Sequence, residues 1–527
     1  MREIETVLLL LGLVAILTII SRRISAPNPI LMTIGGLLLG LVPGFPQVRL
    51  PPDVAFLVFL PPILFSAAYL TSRREFVANA RPIALLAIGL VLLTTLVVAL
   101  VVHTLVPDMG WGAAFALGAI VSPPDAVSAT AIARRLGLPR RVVAILEGES
   151  LVNDATALVA LRLAVVVVVT DTFSPIDAAG SLVLVSVGGI AIGLAFGALV
   201  VLVERLLTDP PVEVLVSLLA PFGAWIAAES LNVSGVLAVV VAGLVLGREA
   251  PRVMSSSTRV LFSGVGVMIV FVLNGLVFML IGLQLPTILD ALTSRWQGGE
   301  LFVLAAAVSL TVILARLAWV FTATYVPRLL SPSLARRERD DDWRVILIIG
   351  WAGMRGVVSL AAALALPLTV EGEGPFPARD LLLFLTFVVI IVTLVGQGLT
   401  LPLLIRRLGI GDEGTLEHEE IHAREATIAA ALDQLEGLRR SWPDHIPLIE
   451  QMKARFEHAT EHLEHDHEAG EAVVPDQEMI EHAAIRQAVI DAQRVALIDL
   501  RDRGVIHDEA LRRVERDLDL EELRGEG

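Results

Sequence analysis

"GESLVND", residues 148–154, follows "RRVVAILE" (140–147) and precedes "ATALVALRLAVVVVV" (155–169), within a stretch apolar and long enough to cross a bilayer. Three polar side chains, Glu149, Asn153 and Asp154, fall in its middle. An ionised carboxylate in hydrocarbon costs about 3 kcal/mol or more, so it implies a partner, a water-filled cavity or a function. On a helix, Ser150 and Asp154 are four residues apart and share one face, whereas Glu149 and Asn153 share a face about 100° round. Asp154 and Ser150 can therefore look into a cavity while Glu149 looks elsewhere.

The surrounding chain places this segment in a membrane protein. Of 527 residues, 55% are hydrophobic, mean hydropathy is +0.76, and most apolar residues come in membrane-length runs. There is no cysteine, which excludes disulfides and thiolate metal sites. The first apolar run, "TVLLLLGLVAILTII", follows Glu3 and Glu5 rather than a basic segment and reads as a first membrane helix, not a signal peptide. Charge is divided: from Gly411 onward there are 30 Asp and Glu against 13 Lys and Arg, while the rest holds 27 basic and 25 acidic residues. A near-neutral membrane part (1–410) with an acidic soluble tail (411–527) follows, with nothing that suggests nucleic acid.

Thirteen apolar segments are expected as spans: 5–20, 28–43, 54–70, 82–106, 112–133, 140–169, 180–206, 212–230, 233–247, 262–285, 300–327, 345–368 and 379–405. The arginines test the alternation. Arg22, Arg23, Arg73, Arg74, Arg81, Arg134, Arg135, Arg140, Arg141, Arg205, Arg248, Arg252, Arg259, Arg328, Arg336, Arg337, Arg339, Arg344, Arg406 and Arg407 all fall on one side. Only Arg2, Arg49, Arg295 and Arg379 fall on the other, which predicts an external N-terminus and a cytoplasmic tail.

Two spans are interrupted. "LGAIVSPPDAVSATAIA" (117–133) puts Pro123, Pro124 and Asp125 in mid-membrane, where proline removes a donor and breaks the helix. "GWAGMRGVVSLAAALALP" (350–367) puts Gly350, Gly353, Arg355 and Gly356 at a similar depth. Paired broken helices in corresponding halves point to a transport site between inverted repeats. Asp125 and Arg355 are placed to offset the partial charges of the half-helix ends. "VILARLAWVF" (312–321) carries Arg316 alone among apolar residues, and a Glu149–Arg316 ion pair would neutralise both. Asp154 and Asp125 then remain as uncompensated acid facing a cavity. Such a carboxylate can hold a proton or a small cation. The Ser150 hydroxyl and carbonyls freed at the Pro123–Pro124 break would add the oxygen ligands that a hard cation requires.

Five motifs carry a resemblance: "FLPPILFSAA" (59–68), "VSPPDAVSATAIARRLGLP" (121–139), "GESLVNDATALV" (148–159), "LVFMLIGLQL" (276–285) and "WAGMRGVVSLAAALALP" (351–367). In order and spacing, over about residues 1–410, they resemble the monovalent cation:proton antiporters of the Na+/H+ exchanger (NhaP-like) type. The resemblance implies an all-α membrane fold of about thirteen helices with inverted repeats and two broken crossing helices. It also implies a homodimer with a dimerisation domain and a mobile core moving like an elevator. Asp154 resembles the essential ion- and proton-binding aspartate, and Asn153 the asparagine associated with electroneutral exchange. Glu149 and Arg316 resemble the buried ion pair, Ser150 a ligand, and Asp125 and Arg355 the charges at the crossing breaks. Two positions depart from the family pattern. The usual Thr-Asp-Pro reads Pro124-Asp125-Ala126, and Ser66 stands where many relatives carry glutamate. Fewer anionic ligands leave the choice between Na+ and K+ open.

Other residues read more plainly. Glu147 is placed at a cytoplasmic funnel, Arg162 reads as pairing or snorkelling, and His103 as structural. The tail has helical spacing without membrane-length runs, and Gly470 and Pro475 divide it. Nine of ten histidines lie there; His458, His462, His465 and His467 could charge between about pH 5 and 7 or bind an unknown ligand or ion. "HEEIH" (418–422) matches the zincin pattern by chance in a segment rich in Glu and His. The expected protein is thus an inner-membrane antiporter without enzymatic activity or cofactor. Its expected partners are Na+ or Li+ (alternatively K+), protons and membrane lipids. A cation channel is disfavoured because no ring of carbonyl repeats is present.

Overall fold

The computed structural model describes residues 2–468 apart from 25–26, 44, 46–54, 171, 173, 293–297, 331–341, 371–373 and 411–414, together with scattered positions from 488 to 518. The chain divides into two compact units, Met1–Glu413 and Gly414–Gly527.

The first unit is almost wholly helical. It opens with α1 (Arg2–Ile24), α2 (Asn28–Gly40), α3 (Leu60–Leu70), α4 (Arg73–Ala78), α5 (Ala80–Ala84) and α6 (Val91–Leu105). The first interrupted span is α7 (Trp111–Val121) and α8 (Ala126–Arg135), followed by α9 (Arg140–Thr170). Then come α10 (Pro175–Glu204), α11 (Pro210–Ser230), α12 (Gly235–Val253), α13 (Ser256–Leu292) and α14 (Gly298–Leu330). The second interrupted span is α15 (Trp343–Trp351) and α16 (Val357–Leu364), and α17 (Arg379–Ile391) and α18 (Gly398–Leu408) close the unit. Among the described residues eight helices are long and apolar enough to cross a membrane, and three shorter apolar helices cover Asn28–Gly40, Phe56–Leu70 and Trp111–Val121.

Close backbone approach sets much of the packing. Gly189, Gly193 and Gly197 repeat every fourth residue of α10 and face α12, where a Cβ on Gly193 would fall 2.6 Å from the Ala238 carbonyl oxygen. Apolar contact with lipid gives no preference for one helix face over another, so small residues that let backbones meet decide the pairing.

The periodicity did not foretell three π-helical segments, Ala55–Phe59, Leu85–Leu90 and Val392–Gln397. Around the second, the Trp319 indole of α14 donates to the Leu85 carbonyl at 2.9 Å. This pins the helix that carries Arg316. A two-stranded sheet, β1 (Thr369–Val370) and β2 (Gly374–Pro375), pairs antiparallel with Thr369 opposite Pro375.

In the second unit, α19 (Thr415–Ser441) and α20 (Ile446–Glu468) pack together across the turn Pro443–His445, with Arg439 and Glu450 3.5 Å apart. A small apolar cluster joins Ile490, Leu497 and Leu518. "HEEIH" falls in α19 and His458, His462, His465 and His467 in α20, but their side chains lie outside the described residues, as do Gly470 and Pro475.

Candidate ion site at two broken helices

The first break runs Ser122–Asp125. Pro123 and Pro124 supply no N–H, so α7 ends at Val121 and its last carbonyls need other donors. They find them on the second break. Arg355 is fully buried, and its Nε donates to the Val121 carbonyl at 3.0 Å and its Nη2 to that of Ser122 at 3.4 Å. A cation thus sits at the negative end of a half-helix. Arg355 also donates to Gly353 O, and its backbone N–H donates to the Thr393 hydroxyl at 3.0 Å. In the reverse direction, the Asp125 N–H donates to the Met354 carbonyl at 2.7 Å. Asp125 caps α8, its Oδ1 accepting from the Val127 N–H at 2.9 Å. Gly356 packs so closely on the Asp125 carboxylate that a Cβ there would overlap it. The two breaks are therefore one hydrogen-bonded crossing.

Helix α9 runs past this crossing. Glu149 and Arg316, 1% and 0% exposed, form a bidentate pair: Nη1 to Oε1 at 2.5 Å and Nη2 to Oε2 at 2.8 Å. Arg316 also donates to the Ile349 carbonyl from Nη2 at 3.1 Å and from Nε at 3.3 Å, serving the end of α15. Asn153, fully buried, donates from Nδ2 to the Pro124 carbonyl at 2.8 Å and so ties α9 to the first break.

Asp154 is 4% exposed and borders a cavity of about 300 Å3. Asp125, Pro124, Ser150, Ser66 and Glu147 line the same cavity, so the structure gathers six of the residues singled out from the sequence. Among the described residues no protein group donates a hydrogen bond to the Asp154 carboxylate and no cation pairs with it. Asn153 takes part through Pro124 rather than as a lining residue. Glu147 pairs with Arg134 at 2.6 Å on the cavity wall. Arg162 pairs with Glu229 at 3.0 Å. The His103 Nδ1 lies 2.9 Å from the Met109 carbonyl and its ring stacks on Trp111 at 4.0 Å.

Four polar lining residues were not foreseen as part of the site: Thr130, Arg134, Asn274 and Ser359. The Ser359 hydroxyl is buried with no hydrogen-bond partner among the described residues. A lone Ser or Thr in an apolar helix ordinarily bonds its own backbone, so the sequence held no signal for Thr130 or Ser359.

A largely apolar cavity with acidic and hydroxyl groups on its wall, at crossed half-helices in a bundle of apolar helices, defines an integral membrane protein with a polar site inside it. The chain belongs to the sodium/hydrogen exchanger transmembrane family, which it matches over residues 9–407. It is 35% identical over 520 residues to an uncharacterised Na+/H+ exchanger of Mycobacterium tuberculosis (strain ATCC 25618 / H37Rv), covering 98% of this chain and 95% of that one. It is 34% identical over 415 residues to the sodium, potassium, lithium and rubidium/H+ antiporter of Bacillus subtilis (strain 168), covering 76% of this chain and 61% of the relative. Its fold is similar to that of the sodium proton antiporter MjNhaP1 from Methanocaldococcus jannaschii, with a TM-score of 0.61 at 20% identity over 77% of this chain and 99% of that one.

Proposed function

We propose that this protein is a secondary antiporter that exchanges cytoplasmic Na+ or Li+ for external H+, with Asp154 binding cation and proton in competition. One observation carries the reading: Asp154 is a buried carboxylate at a cavity, while Glu149, five residues earlier, is already neutralised by Arg316. A carboxylate with no counter-charge from the protein in a low-dielectric site needs one positive charge, and one proton or one monovalent ion satisfies it. Competition for that place is sufficient for exchange if the cavity opens to one side at a time. Asp125, Ser150, Ser66 and the Pro124 carbonyl supply further oxygens, and Arg355 keeps the crossing neutral as the ion passes. Asn153, being uncharged, leaves a single exchangeable charge, in keeping with electroneutral exchange.

The remaining architecture belongs to the same proposal: thirteen spans in inverted repeats, an external N-terminus, a cytoplasmic tail from about residue 411, a homodimer and an elevator-like core in the plasma membrane. Apolar side chains such as Val183, Val187 and Leu194 are exposed along α10 and suit lipid contact. No cofactor is required besides the transported ions, and no enzymatic activity is proposed.

A second reading, K+/H+ exchange at the same site, is favoured by two observations. Ser66 lines the cavity with a hydroxyl where the resemblance to the family implies a glutamate in many members, and the Bacillus relative's name includes potassium. Both readings are tested by relaxation of a preset ΔpH in proteoliposomes on adding Na+, Li+ or K+. Wild type should dissipate ΔpH with at least one cation and Asp154→Asn with none. Normal exchange by Asp154→Asn would remove Asp154 from the site, and a wild type silent to all three ions would reject the antiporter reading.

A further inference from the structure

A second acidic pair lies outside the Asp154 cavity. Glu204, the last residue of α10, and Glu213, in the first turn of α11, are 0% and 2% exposed and interact electrostatically. Ser217 stands one turn after Glu213 on the same face of α11, and its hydroxyl donates to Glu204 Oε1 at 2.8 Å. The other oxygen of Glu204 and Oε2 of Glu213 are both buried with no hydrogen-bond partner among the described residues.

The neighbouring charges do not neutralise the pair. Arg205, next in the chain, is turned toward Glu249 of α12, which Arg248 and Arg252 also approach. Arg259 of α13 donates to the Met254 carbonyl at 2.6 Å and faces Tyr69 of α3. Tyr69 brings a hydroxyl, not a charge, toward Glu204. Among the described residues no Lys, Arg or His forms an ion pair with Glu204 or Glu213. Two adjacent buried carboxylates cannot both stay ionised without a positive ion between them.

Ser217, which donates to Glu204, places the pair next to a chamber. Ser217 and Tyr69 help to wall a chamber of about 70 Å3, which shares Ser66, Leu70 and Val270 with the wall of the 300 Å3 cavity. We propose that Glu204, Glu213 and Ser217 form a second positive-ion site, holding one proton or, in its place, one desolvated monovalent metal ion, behind Ser217 in the wall of a side chamber that borders the Asp154 cavity. The orphaned oxygens are its acceptors, and Ser217 orients Glu204 so that its free oxygen is presented to the ion.

The site is tested on the full-length chain carrying Asp154→Asn, so that its fate is separate from that of the transport reading. Two probes distinguish the occupants. Infrared difference spectra across a pH titration report protonated carboxyls, and equilibrium binding of isotopic Na+ or Rb+ reports a metal ion. If the proton is the occupant, the Asp154→Asn protein shows a protonated carboxyl band near neutral pH that Glu213→Gln or Glu204→Gln removes. If a metal ion takes its place, saturable Na+ or Rb+ binding persists in Asp154→Asn and is lost on adding Glu213→Gln. The proposal is overturned if neither the band nor the binding differs between Asp154→Asn and its double variants. Should both Gln variants aggregate, Ser217→Ala carries the test. Loss of its hydroxyl must shift the band or weaken metal binding several-fold, and an unshifted band with unchanged binding equally overturns the site.

Discussion

Glu149 and Asp154 lie on one helix, five residues apart and almost equally buried, yet their surroundings differ in kind. Glu149 has both oxygens held by Arg316, whose remaining donor capacity goes to the Ile349 carbonyl. Asp154 has a cavity in front of it and no cation among the described residues. Burial alone therefore says little about a membrane carboxylate. What decides its role is whether its counter-charge belongs to the protein or must come from solution.

The comparison is broken most severely by removing the fixed counter-charge. Arg316→Ala leaves Glu149 buried and unpaired and orphans the end of α15, a loss of about 3–5 kcal/mol. The expected outcome is little or no monodisperse protein in detergent. Replacing both partners by apolar residues of similar volume, Glu149→Leu with Arg316→Met, should recover much of that stability, because no unpaired charge remains. If the double variant folds and exchanges ions, the pair is structural; if it folds and is silent, Glu149 belongs to the ion path. Asp154→Asn is the opposite case, with exchange abolished and thermal unfolding essentially unchanged.

Next in size is Gly356→Ala. Its Cβ would occupy the place of the Asp125 carboxylate, so either Asp125 turns away from the cavity or the two breaks separate. The Asp125 N–H bond to Met354 O gives the crossing little room to separate. Exchange should fall by at least about tenfold, the equivalent of about 1.4 kcal/mol, with the protein still folded. Unaltered exchange would show that the Asp125 carboxylate is not required at the cavity.

How far the sequence revealed these features depends on whether one residue or two elements had to be known. Lone charges in apolar runs declare themselves, because Glu149 and Arg316 each require an opposite partner and few are available. The breaks were equally plain, since the Pro123–Pro124 pair removes two donors and the glycines around Arg355 weaken a helix. Which atoms those breaks offer each other was not legible. That Arg355 serves the carbonyls of Val121 and Ser122, rather than those of its own break alone, depends on how the two spans cross. The same holds for Asn153 reaching Pro124 and for Arg134 meeting Glu147 across the cavity wall. Glu204 and Glu213 were hidden for another reason: each sits at a helix end, where acidic residues normally face water.

Asn153 refines the comparison further. Its Nδ2 donates to the Pro124 carbonyl while its Oδ1 is buried with no partner among the described residues. Asn153→Ala frees that carbonyl beside the cavity and loosens the first break, at about 1–3 kcal/mol for a buried acceptor left unmade. Stability should fall by that amount, and the cation concentration for half-maximal exchange should change by no more than about tenfold. A complete loss of exchange at unchanged stability would instead give Asn153 a direct part in ion binding.

The smallest effect is expected two turns beyond Asp154, at Arg162. Its Nη2 contacts both oxygens of Glu229, at 3.0 and 3.1 Å, but the two side chains are 51% and 37% exposed. Water screens such a pair, and exposed pairs contribute from nothing to about 1 kcal/mol. Arg162→Ala should therefore shift the melting temperature barely at all and leave ΔpH relaxation intact. Glu149 and Arg162 both pair with an opposite charge, yet only the pair sealed from solvent is expected to matter for folding. A large loss of exchange in Arg162→Ala, at normal stability, would mean that the charge acts on the ion through the field rather than through its partner, and solvent exposure would then be the wrong criterion for ranking these pairs.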